Sequence, residues 1–107
     1  MEFLTRMEEI LLLTVHRLDP EAYGVTIRAT VEDLLGKSVS VGAVYVPLDR
    51  LAERGYLETS YSDPTPERGG RRKKYFKLTP QGVDILRETK SLNDALWEHI
   101  PSLGSAG

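Results

Sequence analysis

Between Val25 and Arg54 the chain has room for two short helices and nothing longer, because the turn Gly36-Lys37-Ser38-Val39 separates them. In the first, roughly Val25 to Leu35, the apolar residues Ile27, Val31, Leu34 and Leu35 recur at helical spacing. Gly36 supplies its stop, since glycine accepts the left-handed conformation that ends a helix. In the second, Ser40 is a good N-cap, and Val41, Val44, Leu48 and Leu51 form one narrow stripe up to about Arg54. Gly55 closes it. Two amphipathic helices joined so tightly, with a strand to follow, have a helix-turn-helix layout.

The flanks complete the pattern. Residues 1 to about 18 hold Phe3, Leu4, Met7, Ile10, Leu11, Val15 and Leu18 on a helical stripe, which Leu12 and Leu13 widen. Such breadth suits a helix that buries a second surface against a partner subunit, or a central helix wrapped by its own domain. Asp19-Pro20 breaks it, because proline disfavours helical geometry in the residue before it. Leu57 to Ser62 alternates as a strand, Asp63 to Gly70 is turn chemistry throughout, and Lys73 to Leu78 returns as a second strand. Thr79-Pro80 then starts a last helix to about His99, with Val83, Leu86, Leu92, Leu96, Trp97 and Ile100 as its main apolar residues. The residues from Pro101 onward (PSLGSAG) read as a flexible tail. The expected fold is mainly α with a small β-hairpin, an α+β winged helix-turn-helix. Residues 1–100 form one domain, in which 19–79 carry the helix-turn-helix and wing.

Charge is distributed unevenly along this plan. Arg68 to Lys77 (RGGRRKKYFK) hold six of the 14 Lys and Arg residues and no acid, leaving eight against 16 Asp and Glu elsewhere. A +6 hairpin on an otherwise acidic chain needs either solvent or a polyanion around it. Simple protection of a sheet edge is the plainer explanation, but six positives exceed what that requires. Strand alternation sets Lys73, Tyr75 and Lys77 on one face and Arg72, Lys74, Phe76 and Leu78 on the other. Phe76 and Leu78 should turn to the core, so Lys73 and Lys77 point outward and Arg71 and Arg72 sit at the tip.

Other function classes fit poorly. His16 and His99 lie far apart, cysteine is absent, no acids cluster at metal-ligand spacing, and Gly69-Gly70 precedes a strand instead of a phosphate-holding helix. Neither an enzyme nor a cofactor is expected. No run is long and apolar enough to span a bilayer, and the N-terminal residues do not read as a secretory signal. A cytoplasmic location without membrane contact is the expectation.

In this order of elements, Tyr23-Gly24, Gly42-Ala43-Val44-Tyr45, Leu48-Asp49-Arg50-Leu51, Arg54-Gly55-Tyr56-Leu57, Gly69 to Thr79 and Gly82 together resemble the PadR family of bacterial transcription regulators. The resemblance covers nearly the whole chain and is closest to members with a single C-terminal helix. It implies a sequence-specific regulator of double-stranded DNA, usually a repressor, that binds an inverted repeat as a homodimer. DNA contacts are then expected from Ser40, Gly42, Ala43, Tyr45, Val46 and Arg50 on the third helix, and from Arg68, Arg71, Arg72, Lys73, Lys74 and Lys77 on the wing. Tyr45 could equally pack in the core, and Asp49 or Glu53 could pair with Arg50. Leu4, Leu11, Leu12, Val83, Leu86, Leu96 and Trp97 are the expected dimer residues, with Trp97 an interface anchor or the wall of a small-molecule effector pocket. Pro47, one step later than the proline of many relatives, removes a helical donor to Ala43 and should kink or loosen the third helix. The competing reading is a winged-helix interaction module whose basic wing binds an acidic protein.

Overall fold

The computed structural model describes residues 2–62, 72–98 and 100. Its elements run α1 (Arg6–Leu18), α2 (Gly24–Leu35), α3 (Val41–Glu53), β1 (Leu57–Tyr61), β2 (Lys74–Leu78) and α4 (Pro80–Glu98). This is a helix-turn-helix followed by an antiparallel hairpin and a closing helix, as the sequence predicts. Among the described residues no helix is long and apolar enough to cross a membrane.

The first helix begins later than its apolar pattern suggests, because Thr5 caps it. The Glu8 N–H donates to the Thr5 hydroxyl at 3.1 Å, and the Thr5 N–H donates to the Glu8 carboxylate at 2.8 Å. That reciprocal box satisfies donors that an open helix end would leave to water. The other Glu8 oxygen accepts from Arg54 at 2.9 Å, while Glu2 accepts from the same guanidinium at 2.8 Å. Arg54 also lies 5.1 Å from the centre of the Tyr56 ring. The residues just after α3 thereby hold the segment before α1 in place. The Arg54 guanidinium keeps the Glu2 carboxyl below the usual carboxylate range, and burial pushes the Tyr56 phenol up.

The core forms where α1, α2 and α3 converge under the hairpin. Leu11, Leu12, Val15, Ile27, Val31, Val44, Leu48 and Leu51 are wholly buried within the chain. Several expectations fail here. Leu11 and Leu12 cannot touch a partner subunit, since their own domain encloses them; Leu13, at 50% exposure, is the residue of that run left outside. Leu34 and Leu35 turn away from the core, as does Val41 at the first turn of α3. Ile85, absent from the expected apolar face of α4, is the side chain of that helix buried most deeply. Helix spacing alone cannot say which of several adjacent leucines faces inward; the neighbouring elements decide.

Two side chains of α2 hold the turn into α3. The Arg28 guanidinium donates to the Val39 carbonyl at 2.8 Å, and Glu32 accepts from the Val39 N–H at 2.8 Å. With both backbone groups of Val39 satisfied, the turn is fixed and Val39 itself is buried. Gly36 ends α2 with φ 67°, as expected of its type. Helix α3 continues unbroken through Pro47. Loss of one internal hydrogen bond is tolerated because Val44, Leu48 and Leu51 on either side of it are anchored in the core.

The hairpin pairs Leu57 with Leu78 and Tyr61 with Lys74 in antiparallel register. A third segment joins it: the Phe76 N–H donates to the Ala22 carbonyl at 2.8 Å, and Tyr23 bridges Tyr75. Ala22 is wholly buried beneath that contact. At the other end, the Thr79 hydroxyl donates to the Gly55 carbonyl at 2.6 Å and accepts from the Gly82 N–H at 3.0 Å. One threonine thus caps α4 and ties it to the end of α3.

Candidate nucleic-acid interface

Tyr23 and Gly24, at the start of α2, touch both the third helix and the wing. The Tyr45 ring of α3 lies so close to Gly24 that a β-carbon there would overlap its hydroxyl and ring atoms. On the other side, the Tyr23 ring meets Tyr75 edge-on with centroids 5.4 Å apart, and the Lys73 ammonium sits 4.5 Å from the Tyr23 ring centre. A second link runs directly from wing to helix: Lys74 donates to Asp49 at 3.0 Å and lies over the Phe76 ring. Helix and hairpin are therefore held in one arrangement by aromatic packing and an ion pair.

Of the residues expected on this surface, Ser40, Gly42, Ala43, Tyr45, Val46, Arg50, Arg72, Lys73 and Lys77 are exposed. Arg68 and Arg71 lie outside the described residues. Ser40 is the N-cap, its hydroxyl accepting from the Ala43 N–H at 3.1 Å. Tyr45 packs on Gly24 and remains 37% exposed. Lys73 and Lys77 are exposed, as strand alternation predicts. Lys73 stays accessible but is held against Tyr23, and Lys74 is half-buried and neutralised by Asp49. Asp49 thus serves the wing and not Arg50. Among the described residues Arg50, Arg72, Lys73 and Lys77 have no ion-pair partner within 4.0 Å, although Lys77 stands across the hairpin from Glu58.

Sequence reasoning missed Tyr23, Gly24 and Asp49 as the residues that position the site. One signal was available: tyrosine is a poor N-cap, so Tyr23-Gly24 at a helix start points to a close approach of another element. In place of a side-chain cap, the Tyr23 N–H donates to the Thr26 hydroxyl at 3.1 Å.

Replacing Gly24 with alanine should drive the Tyr45 ring out of its seat with a modest loss of stability, since the ring can swing toward solvent. The Tyr45→Ala variant should lose little further stability on adding Gly24→Ala. Thermal melts of the two single variants and the double variant measure that coupling; equal and additive losses would exclude the contact.

The dimer candidates divide in the same way. Leu96 and Trp97 on the distal part of α4 are 61% and 56% exposed, and Leu92 and Ile100 beside them are also open. Trp97 borders a shallow hollow with Asp94 and Glu98, not an enclosed cavity. Leu4 and Leu86 are partly buried against the core, and Val83 is also partly buried. Val83 and Leu86 share with Leu13 and Leu78 a groove of about 510 Å³ between α1 and α4.

Comparison with known proteins gives concordant results. A family model described as the transcriptional regulator PadR-like family matches residues 11–88. A solved PadR-like transcription factor from Bacteroides fragilis is 27% identical with a TM-score of 0.76, over 91% of this chain and 88% of that one. The protein smu.1704 from Streptococcus mutans UA159 is 28% identical with a TM-score of 0.68, over 91% and 84% of the two chains. The hsRosR-S4 chain, solved in a complex, is 26% identical with a TM-score of 0.67, over 88% and 74%. None of the curated proteins matches the sequence.

Proposed function

The chain belongs to the PadR-like family of transcriptional regulators, and on that premise we propose that it binds double-stranded DNA through α3 and the hairpin, as a homodimer on an inverted repeat. It is a regulator and not an enzyme. In this reading residues 19–79 grip the duplex, while 1–18 and 80–100 pair two copies. Repression by occupying a promoter is the sense we assign to it.

The observation that carries the reading is a local excess of unpaired cations. Arg50 on α3 and Arg72, Lys73 and Lys77 on the hairpin have no ion-pair partner among the described residues, on a chain whose net charge is −2. Phosphates would relieve their mutual repulsion and release counterions. Arg50, Lys73 and Lys77 then act as backbone contacts that set the register of α3 in the groove, and base contacts come from the start of that helix.

A gel shift of the chain on its own upstream DNA, with salt titration, tests this. Each phosphate contact removed should lower the log–log salt slope by about 0.9, so Arg71→Ala with Arg72→Ala should lower it by nearly 2. An unchanged slope would take the tip of the wing off the DNA. Failure to form any sequence-selective complex at low salt would favour a module that binds an acidic protein instead.

Pairing of two copies is supported by the apolar groove between α1 and α4 and by Leu92, Leu96 and Trp97, which α4 carries beyond its own core. A helix end with this much exposed apolar surface is stabilised by burial against a partner. Mass measurement at micromolar concentration should report twice 12.0 kDa, and Trp97→Ala should shift the balance toward monomer without changing the fold. A monomeric parent chain would exclude the dimer. A pocket for a small-molecule effector beside Trp97 would need its second wall from the other subunit.

A further inference from the structure

The first two turns of α3 offer almost nothing that can read a base edge by hydrogen bonding. Their exposed side chains are Val41, Ala43, Tyr45 and Val46, with Gly42 among them. The Ser40 hydroxyl is engaged as the helix cap. The residues that form paired hydrogen bonds to guanine, adenine or cytosine are Arg, Lys, Asn, Gln and the acids. None occurs on α3 before Asp49, which is tied to Lys74, and Arg50.

What the helix presents instead is apolar. Val41 is 53% exposed and Val46 49%. Gly42, Val46 and Arg50 recur at four-residue spacing and so form one strip, with Val41 and Tyr45 beside it. From α2, Val25 joins them at 66% exposure, and Val25, Val41 and Tyr45 line a shared groove of about 250 Å³. Single exposed valines need no explanation. Here Val25, Val41 and Tyr45 adjoin one another across a groove that Arg28 and Glu32 also line, and Val46 lies on the strip that leads to Arg50. Two features of duplex DNA match that combination. Phosphates suit the cations, and the one apolar group on the floor of the major groove is the C5 methyl of a pyrimidine.

We propose that α3 selects its operator by seating 5-methyl groups against Val41 and Val46, with Val25 and the Tyr45 ring closing the sides, and not by a hydrogen-bond code. This rests on the DNA-binding reading above and specifies the chemistry of the same surface. Discrimination has two parts. Each methyl group buried against valine gains contact, while a guanine or cytosine edge in that position loses water from polar groups that valine cannot satisfy. Gly42, with open space around it, lets the backbone come near enough for side chains as short as valine to reach the groove floor. The cations supply affinity that is indifferent to sequence.

The methyl group can belong to thymine or to 5-methylcytosine, and the test separates them. Duplexes bound by the full chain are selected from a random library, and an enriched site is made in three forms. One carries thymine, one carries deoxyuridine at every thymine of a half-site, and one carries 5-methylcytosine paired with guanine at those positions. Titrations should show thymine enriched in the half-site and an affinity loss of roughly fourfold for each methyl group removed, the size expected for one buried carbon. Recovery with 5-methylcytosine would assign the methyl alone; no recovery would assign thymine as its source. Val41→Ala and Val46→Ala should shrink the difference between thymine and deoxyuridine. Their melting temperatures should hold, because both side chains are exposed. Equal affinity for thymine and deoxyuridine sites would overturn the inference. So would alanine variants that turn a dimer into a monomer with the thymine preference intact, since the patch would then face protein. No enriched site at low salt would remove the DNA-binding reading itself, and the inference with it.

Discussion

Replacing Leu12 with alanine should destabilise the chain by about 2–5 kcal/mol, as truncation of a large core side chain does elsewhere. At roughly 4–8 °C per kcal/mol for a chain of this size, the melting temperature should fall by about 10 °C or more. Leu12 has no exposed surface, and Leu11 and Val15 on the same helix share that burial. The apolar breadth of α1 had suggested that Leu12 faces a partner subunit. The two positions make different predictions. If Leu12 lined an interface, the loss would shrink as protein concentration rose, because association stabilises a folded dimer by mass action. For a residue enclosed by its own domain, the loss persists at every concentration. Melts over a hundredfold concentration range separate these outcomes, and Leu13→Ala, altering a half-exposed neighbour, serves as the contrast.

Alanine at Gly82 should cost about 1–3 kcal/mol, the usual penalty for forcing extra volume into a packed site. A β-carbon there would overlap the backbone carbonyl of Tyr56 and press on the Leu78 side chain. Backbone has nowhere to swing. The Tyr56 carbonyl already accepts from the Thr79 N–H at 3.1 Å, and Thr79 caps α4 through the Gly82 N–H. Relief would require the start of α4 to move off the end of α3, breaking the cap and unseating Ile85 one turn later. At Gly24 the obstacle is the movable Tyr45 ring, which is why the milder outcome is expected there. Equal melting temperatures for the parent chain and Gly82→Ala would show that α4 can shift freely, and the close packing of that corner would be wrong.

The elements themselves were legible. Gly36, Ser40, Gly55 and Thr79-Pro80 are local signals, because the backbone requirement they meet involves only their near neighbours. Strand alternation likewise placed Phe76 inward, since pleating leaves only two faces. What could not be read was any choice between adjacent apolar residues. Leu34 and Leu35 follow the same helical stripe as Val31, yet α1 and α3 cover Val31 and leave those two at the rim. The wing lysines show the same limit for charge. Lys74 pairs with Asp49, distant in sequence, so which cations remain for a ligand depended on contacts that no local pattern contains.

Taken alone, the amino-acid order determined which helices and strands form and in what order, and concentrated positive charge on one hairpin. Those properties are set over a few residues by backbone geometry and by composition. The folded chain decided which leucines are enclosed, how Tyr23 and Gly24 join α3 to the wing, and which cations lack a partner. Burial and pairing are properties of surfaces brought together from distant parts of a chain, and they come into being only when those surfaces meet.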